Sequence, residues 1–181
     1  MKGQNVYHFT LHEAKRLLSQ NQCVFISHRL ADLEAAREIA DYLKNTVGVN
    51  IYFSDQDDAL QHAVEIEDHD HIVEYIENGI IASSHLLGVI SNNTKGSWWV
   101  PFEIGAARQK KAEVAYLLLE EVDHVPSYLE ISTLLAGLND LSKWIKRHIK
   151  SGSLWERSDL EDVLPYVPGV ANYSFRSEGV H

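Results

Sequence analysis

The chain is short of several features that would place it in a class at once. It contains one cysteine in 181 residues. A lone cysteine forms no internal disulfide, which excludes a disulfide scaffold and predicts a reducing compartment; Cys23 opens an apolar run and reads as inert packing. No cluster of Lys and Arg interrupts a net charge of −10, made of 26 acidic against 16 basic side chains. A phosphate backbone would meet general repulsion, so nucleic acid is not an expected partner. No apolar run reaches membrane-spanning length, and alternating polar side chains with Glu13 stand where a secretory core would lie. No membrane contact and a cytoplasmic setting are expected. Internal repeats and low-complexity tracts are also missing.

What is present is apolar content of 45%, enough to bury a full core as one domain with extensions. The predicted division is an N-terminal helical extension over 1–21, a domain over 22–150, and a C-terminal extension over 151–181 that packs on the core or faces a partner. In the first part, Thr10 and Glu13 have capping-box spacing before a stripe of Leu11, Ala14, Leu17 and Leu18. Strands are then predicted at Cys23 to Ile26, Val49 to Phe53, Leu86 to Ile90, Val114 to Leu119 and, weaker, Tyr128 to Ile131. Helical spacing joins Leu33, Ala36, Ile39, Ala40 and Leu43 until Gly48. It joins Ile72, Val73, Ile76 and Ile80 after a polar loop expected from Ser54 to about Asp70, and it returns from Ser97 to Lys111 and from Leu138 to Ile149. Pro101 disfavours helical geometry at Val100, so the third helix is expected to turn regular only at Pro101.

Apolar strands without alternation, separated by amphipathic helices, predict a three-layer α/β fold. Its five parallel strands would follow the flavodoxin-like order 2-1-3-4-5. In that order ligands sit at the carboxyl ends of strands one and three, here Ser27-His28 and Ser91-Asn92. A phosphoacceptor receiver would need an acidic pair after strand one and an Asp after strand three, but those positions read Ser27-His28-Arg29 and Ser91. A glycine-rich phosphate turn is absent as well. Downstream, Trp99 and Glu103 are four apart, which on a helix puts an aromatic surface beside a carboxylate and suits a cationic or π-faced ligand. A Trp packed on the sheet and a surface Glu is the plain alternative.

These residues carry a resemblance. From about Cys23 to Ile149 the chain resembles a Toll/interleukin-1 receptor (TIR) domain, particularly the bacterial stand-alone, Thoeris-like TIR proteins of antiphage defence. The matching pieces are Val24-Phe25-Ile26-Ser27-His28, Val49 through Asp55, Ile80-Ile81-Ala82-Ser83, and Ser91 through Glu103, where the family's Ser-x-Trp-x-x-x-Glu pattern falls on Ser97, Trp99 and Glu103. The resemblance implies an NAD+ glycohydrolase or ADP-ribosyl cyclase that breaks the nicotinamide–ribose bond, with Glu103 catalytic. The implied cleft is built from Ser27, His28, Phe53, Asp55, Ser91, Ser97 and Trp99. NAD+ is then substrate and no cofactor is required. Expected partners are other copies of the chain, through TIR surfaces, and a separate effector protein that reads an ADP-ribose-derived immune signal. A non-catalytic TIR interaction module and a nucleoside deoxyribosyltransferase-like enzyme stay open as alternatives, because fold does not fix function.

Other clusters read more plainly. Glu65 through His71 offers carboxylates and imidazoles to a divalent metal, but solvated loop charge is the expected reading and no metal site is assigned. Asp55, Asp57 and Asp58 begin the same loop, and one of them orients ribose or caps the next helix; Asp55 is the choice because it directly follows the second strand. His85 and His148 receive no role, and Trp144 and Trp155 are expected to pack in the core or tail.

Overall fold

A computed structural model describes residues 22–149 except 120, 121 and 123. The predicted N-terminal helix, the 151–181 extension and Trp155 lie outside the described residues. Strands β1 (Cys23–Ser27), β2 (Asn50–Tyr52), β3 (His85–Ile90), β4 (Glu113–Leu118) and β5 (Thr133–Leu135) form one sheet. All neighbours are parallel, in the order β2-β1-β3-β4-β5. Helices α1 (Leu33–Asp41) and α5 (Leu138–His148) cover one face, while α2 (Asp58–Glu65), α3 (His69–Ala82) and α4 (Trp99–Gln109) cover the other. The expected three-layer α/β architecture is present.

Strand β1 is buried along its whole length and serves both layers by alternation. Val24 and Ile26 join Ile39, Leu117 and Trp144 on one side, and Cys23 and Phe25 join Ile76, Ile104 and Leu118 on the other. Parity then sends Ser27, the last residue of β1, toward the α4 side. Burial lifts the Cys23 thiol to about 12, which fits inert packing. After α1 the chain widens into a π-helical turn over Tyr42–Val47 and stops at Gly48, whose φ of 75° is left-handed.

Three predicted boundaries need correction. The polar loop from Ser54 to about Asp70 is instead a short turn (Ser54–Gln56), helix α2 and the start of α3. The reason is Asp57, whose carboxylate accepts from the Ala59 and Leu60 amides and from the Tyr52 hydroxyl, while Leu60 and Ala63 turn into the core. The fifth strand lies at Thr133–Leu135, after a tight turn over Ser127–Leu129 that buries Leu129. An apolar residue there anchors a turn, which periodicity does not tell from a strand. Helix α4 is regular from Trp99 and carries Pro101 within its first turn, where a missing N–H costs nothing, while the Val100 amide finds Ser97 Oγ at 3.2 Å.

Helix α3 lies close on β2. A Cβ at Gly79 would stand 2.5 Å from the Tyr52 ring, which itself stacks on Phe25 with centroids 5.1 Å apart. Among the described residues no helix is long and apolar enough to cross a membrane.

Candidate active site

The centre of the site is one carboxylate. Helix α4 turns Val100, Glu103, Ile104 and Ala107 inward, so Glu103 is buried at 7% exposure among apolar neighbours. Ser27 Oγ, fully buried at the carboxyl end of β1, donates to Glu103 Oε2 at 2.6 Å. Burial raises the Glu103 pKa to about 8, and the Ser27 hydrogen bond acts in the opposite sense. At neutral pH the group therefore holds a proton. Ser27, expected to meet substrate, is instead occupied with the carboxylate.

The remaining expected residues divide by what they touch. His28 stacks on Phe53, with centroids 5.0 Å apart and planes 28° from parallel, and its Nδ1 lies 3.4 Å from the Ile26 carbonyl. Burial pulls the imidazole below its ordinary pKa, against the carbonyl and the Asp55 and Asp32 carboxylates. Phe53 has no exposed surface and so backs His28 rather than lining a cleft. Asp55 pairs with Arg37 at 2.7 Å, and the cap expected of it is supplied by Asp57. Ser91 donates to Asp32 Oδ2 at 2.7 Å. Ser97 holds the start of α4 through Val100.

Trp99 is 41% exposed and meets Phe102 edge to face with centroids 5.8 Å apart. Trp98 beside it is 90% exposed. The structure thus sets an aromatic surface one turn before Glu103, although the carboxylate itself is covered. Sequence reasoning misses the buried Asp32 and, among the three acids after the second strand, chooses Asp55 over the buried Asp57. The Asn-rich turn after β3 is the available signal for the first, and the Asp–x–x–Leu spacing before Leu60 for the second.

In the Glu65 to His71 stretch, Asp68 caps α3 and binds His71 at 2.7 Å. No group able to hold a metal occurs among the described residues. His85 is buried against Ser84, the His148 carbonyl and Trp144, and Trp144 lies in the core.

Chemically, the exits of β1 and β3 flank the switch point of the sheet, and a buried carboxylate stands there with an aromatic surface nearby. A TIR domain family model matches residues 24–157, a span that takes in the sheet from Val24 onward and this carboxylate. The chain belongs to the TIR domain family. No curated protein matches it. Within the TIR domain, Ser27 and Glu103 come from the first strand and from the helix after the third, and the sheet order alone makes them neighbours.

Proposed function

We propose that this TIR domain cleaves the bond between nicotinamide and ribose in NAD+. The observation that carries the reading is the buried Glu103 carboxylate, held by Ser27 at the switch point. In NAD+ the pyridinium nitrogen is cationic, so when the C1′–N bond breaks its electron pair goes to the ring and nicotinamide leaves neutral. No proton donor is needed. Positive charge passes to the ribose as an oxocarbenium, and an ionised carboxylate facing C1′ stabilises charge that grows only in the transition state, by several kcal/mol in a water-poor site. Water or a hydroxyl of the ADP-ribose itself, which gives up its proton to solvent, or a ring nitrogen of its adenine then bonds to C1′, giving a linear or a cyclic product.

Two properties of the site bear on regulation. Glu103 is covered and protonated, so the structure around it must open and the proton must leave before it acts. A cationic pyridinium favours that ionisation. We take self-association through TIR surfaces to be the step that uncovers Glu103, which makes the activity steeper than linear in protein concentration. The product would be an immune signal read by a separate effector in the cytoplasm, in an antiphage setting.

The test is mass spectrometry of NAD+ incubations with the parent chain and Glu103→Gln over a range of protein concentrations. Release of nicotinamide by the parent and its loss in the variant are expected. Equal turnover by the two removes Glu103 from the mechanism. No nicotinamide at any concentration, with self-association intact, favours a non-catalytic assembly module, for which the exposed Trp98 and Phe102 surface is the natural contact.

A further inference from the structure

Asp32 is the last residue of a 3-10 turn, Leu30–Asp32, that runs straight into α1, and its carboxylate makes no hydrogen bond to the helix. The carboxylate has a different partner. That partner lies across the sheet. The buried carboxylate accepts from Ser91 Oγ through Oδ2 at 2.7 Å and from Asn93 Nδ2 through Oδ1 at 2.8 Å. From Ser91 the hydrogen bonds continue to α4 without a gap. Ser91 N–H donates to Thr94 Oγ1 at 3.0 Å, Ser97 N–H donates to the Thr94 carbonyl at 3.0 Å, and Val100 N–H donates to Ser97 Oγ at 3.2 Å. Arg29 fastens the same turn from outside, with Nη1 donating to the Asn93 carbonyl at 2.9 Å and the Lys95 carbonyl at 3.1 Å. The clasped turn launches the helix that carries Glu103.

We infer that Asp32 is a positioning residue: by clasping the turn after β3 to the turn after β1 it fixes the start of α4 and holds Glu103 at its depth against Ser27. The catalytic meaning of this rests on the proposed NAD+ reading. The hold on Glu103 itself is measurable without any reaction. The groups that face Glu103 are Ser27 from β1 and the Tyr52 phenol from β2, the latter tied to the Asp57 carboxylate at the head of α2. None of these is a cation. Burial alone therefore raises Glu103, and loosening α4 admits water and returns the carboxyl toward its ordinary range.

The experiment compares the full chain carrying Asp32→Ala or Asp32→Asn, each with and without Glu103→Gln, by urea denaturation across pH. The stability gap between a chain and its Glu103→Gln counterpart changes with pH up to the Glu103 midpoint and then levels, so it reports the ionisation of Glu103 directly. Asp32→Ala is expected to lower that midpoint by more than about one pH unit. Asp32→Asn should leave it within about half a unit, because Asn93 can turn its amide to offer oxygen to the new Nδ2. A merely structural Asp32 would lower the overall stability and leave the midpoint in place, which overturns the inference. Should Asp32→Ala fail to fold, Asn93→Ala removes one arm of the clasp and must move the midpoint in the same direction; an unmoved midpoint there overturns it equally. A chain that never cleaves NAD+ but shows the shift keeps the clasp and loses the proposed reaction.

Discussion

Replacing Glu103 by glutamine should abolish the proposed NAD+ cleavage and at the same time make the protein more stable at neutral pH and above. The ordinary glutamate pKa is 4.5, and that of Glu103 in the fold is about 8. Below the lower value both the folded and unfolded chains hold the proton, and ionisation contributes nothing. As pH rises past it the unfolded chain ionises while the folded chain does not, so the parent loses stability continuously until Glu103 itself ionises. Each pH unit is worth about 1.4 kcal/mol, which gives a loss on the order of 3 kcal/mol at pH 7 and on the order of 5 kcal/mol above pH 8. The Glu103→Gln chain has no such slope, and its amide oxygen still accepts from Ser27. Urea denaturation of both proteins from about pH 4.5 to about pH 8.5 should show curves that diverge with pH in favour of the variant. Curves that stay parallel to within about 1 kcal/mol would refute the claim that burial holds this carboxyl neutral.

The same ionisation should appear in kinetics: kcat/KM for NAD+ is expected to rise roughly tenfold per pH unit and level off near pH 8, and a flat profile between about pH 6 and about pH 8 would contradict it. Ser27→Ala removes the donor that favours the anion, so the plateau should move to higher pH and activity at neutral pH should fall about tenfold or more, as a lost hydrogen bond to a charged group implies. Gly79→Ala should lower the melting temperature, because the new methyl meets a Tyr52 ring already stacked on Phe25 and tied to Asp57; overpacking of this kind costs about 1–3 kcal/mol and outweighs the helix-propensity gain. Asp57→Ala should speed hydrogen exchange at the amides of α2, which loses both its cap and the Tyr52 tie, while unchanged protection there would contradict the role given to Asp57.

The fold is legible in the sequence because its signals are cooperative. Four of the strands are short apolar runs, and α1 and α5 repeat apolar residues at helical spacing, so the layer order follows from pattern alone. The α2 region is not, because its hold on the core rests on few residues, chiefly Leu60 and Ala63, and on a cap whose second partner, Tyr52, comes from another element. In the candidate site, Glu103 is singled out by its place four residues after Trp99 and by the resemblance of that stretch to the TIR pattern. The role of Ser27 is not, since the sequence puts Ser27 and Glu103 76 positions apart and only the strand order brings the hydroxyl to the carboxylate. Asp32 is hidden for a similar reason: it closes the short turn that leads into α1, and the partners of its carboxylate lie at the exit of the neighbouring strand β3.

The alternation of β1 has a consequence for how this site can change over evolutionary time. Ser27 owes its direction to the same pleat that seats Phe25 and Cys23 in one half of the core and Val24 and Ile26 in the other. Gaining or losing one residue within that strand would bring Ile26 or His28 to the place of the hydroxyl and turn both halves of the core inside out together. Substitution at position 27 is therefore the accessible route for adjusting the carboxylate, and insertions are confined to the turns beyond the strand. A lineage could abandon the proposed chemistry by a single exchange of Glu103 and keep the scaffold whole, but it could not slide the hydroxyl to a new place without refolding the sheet.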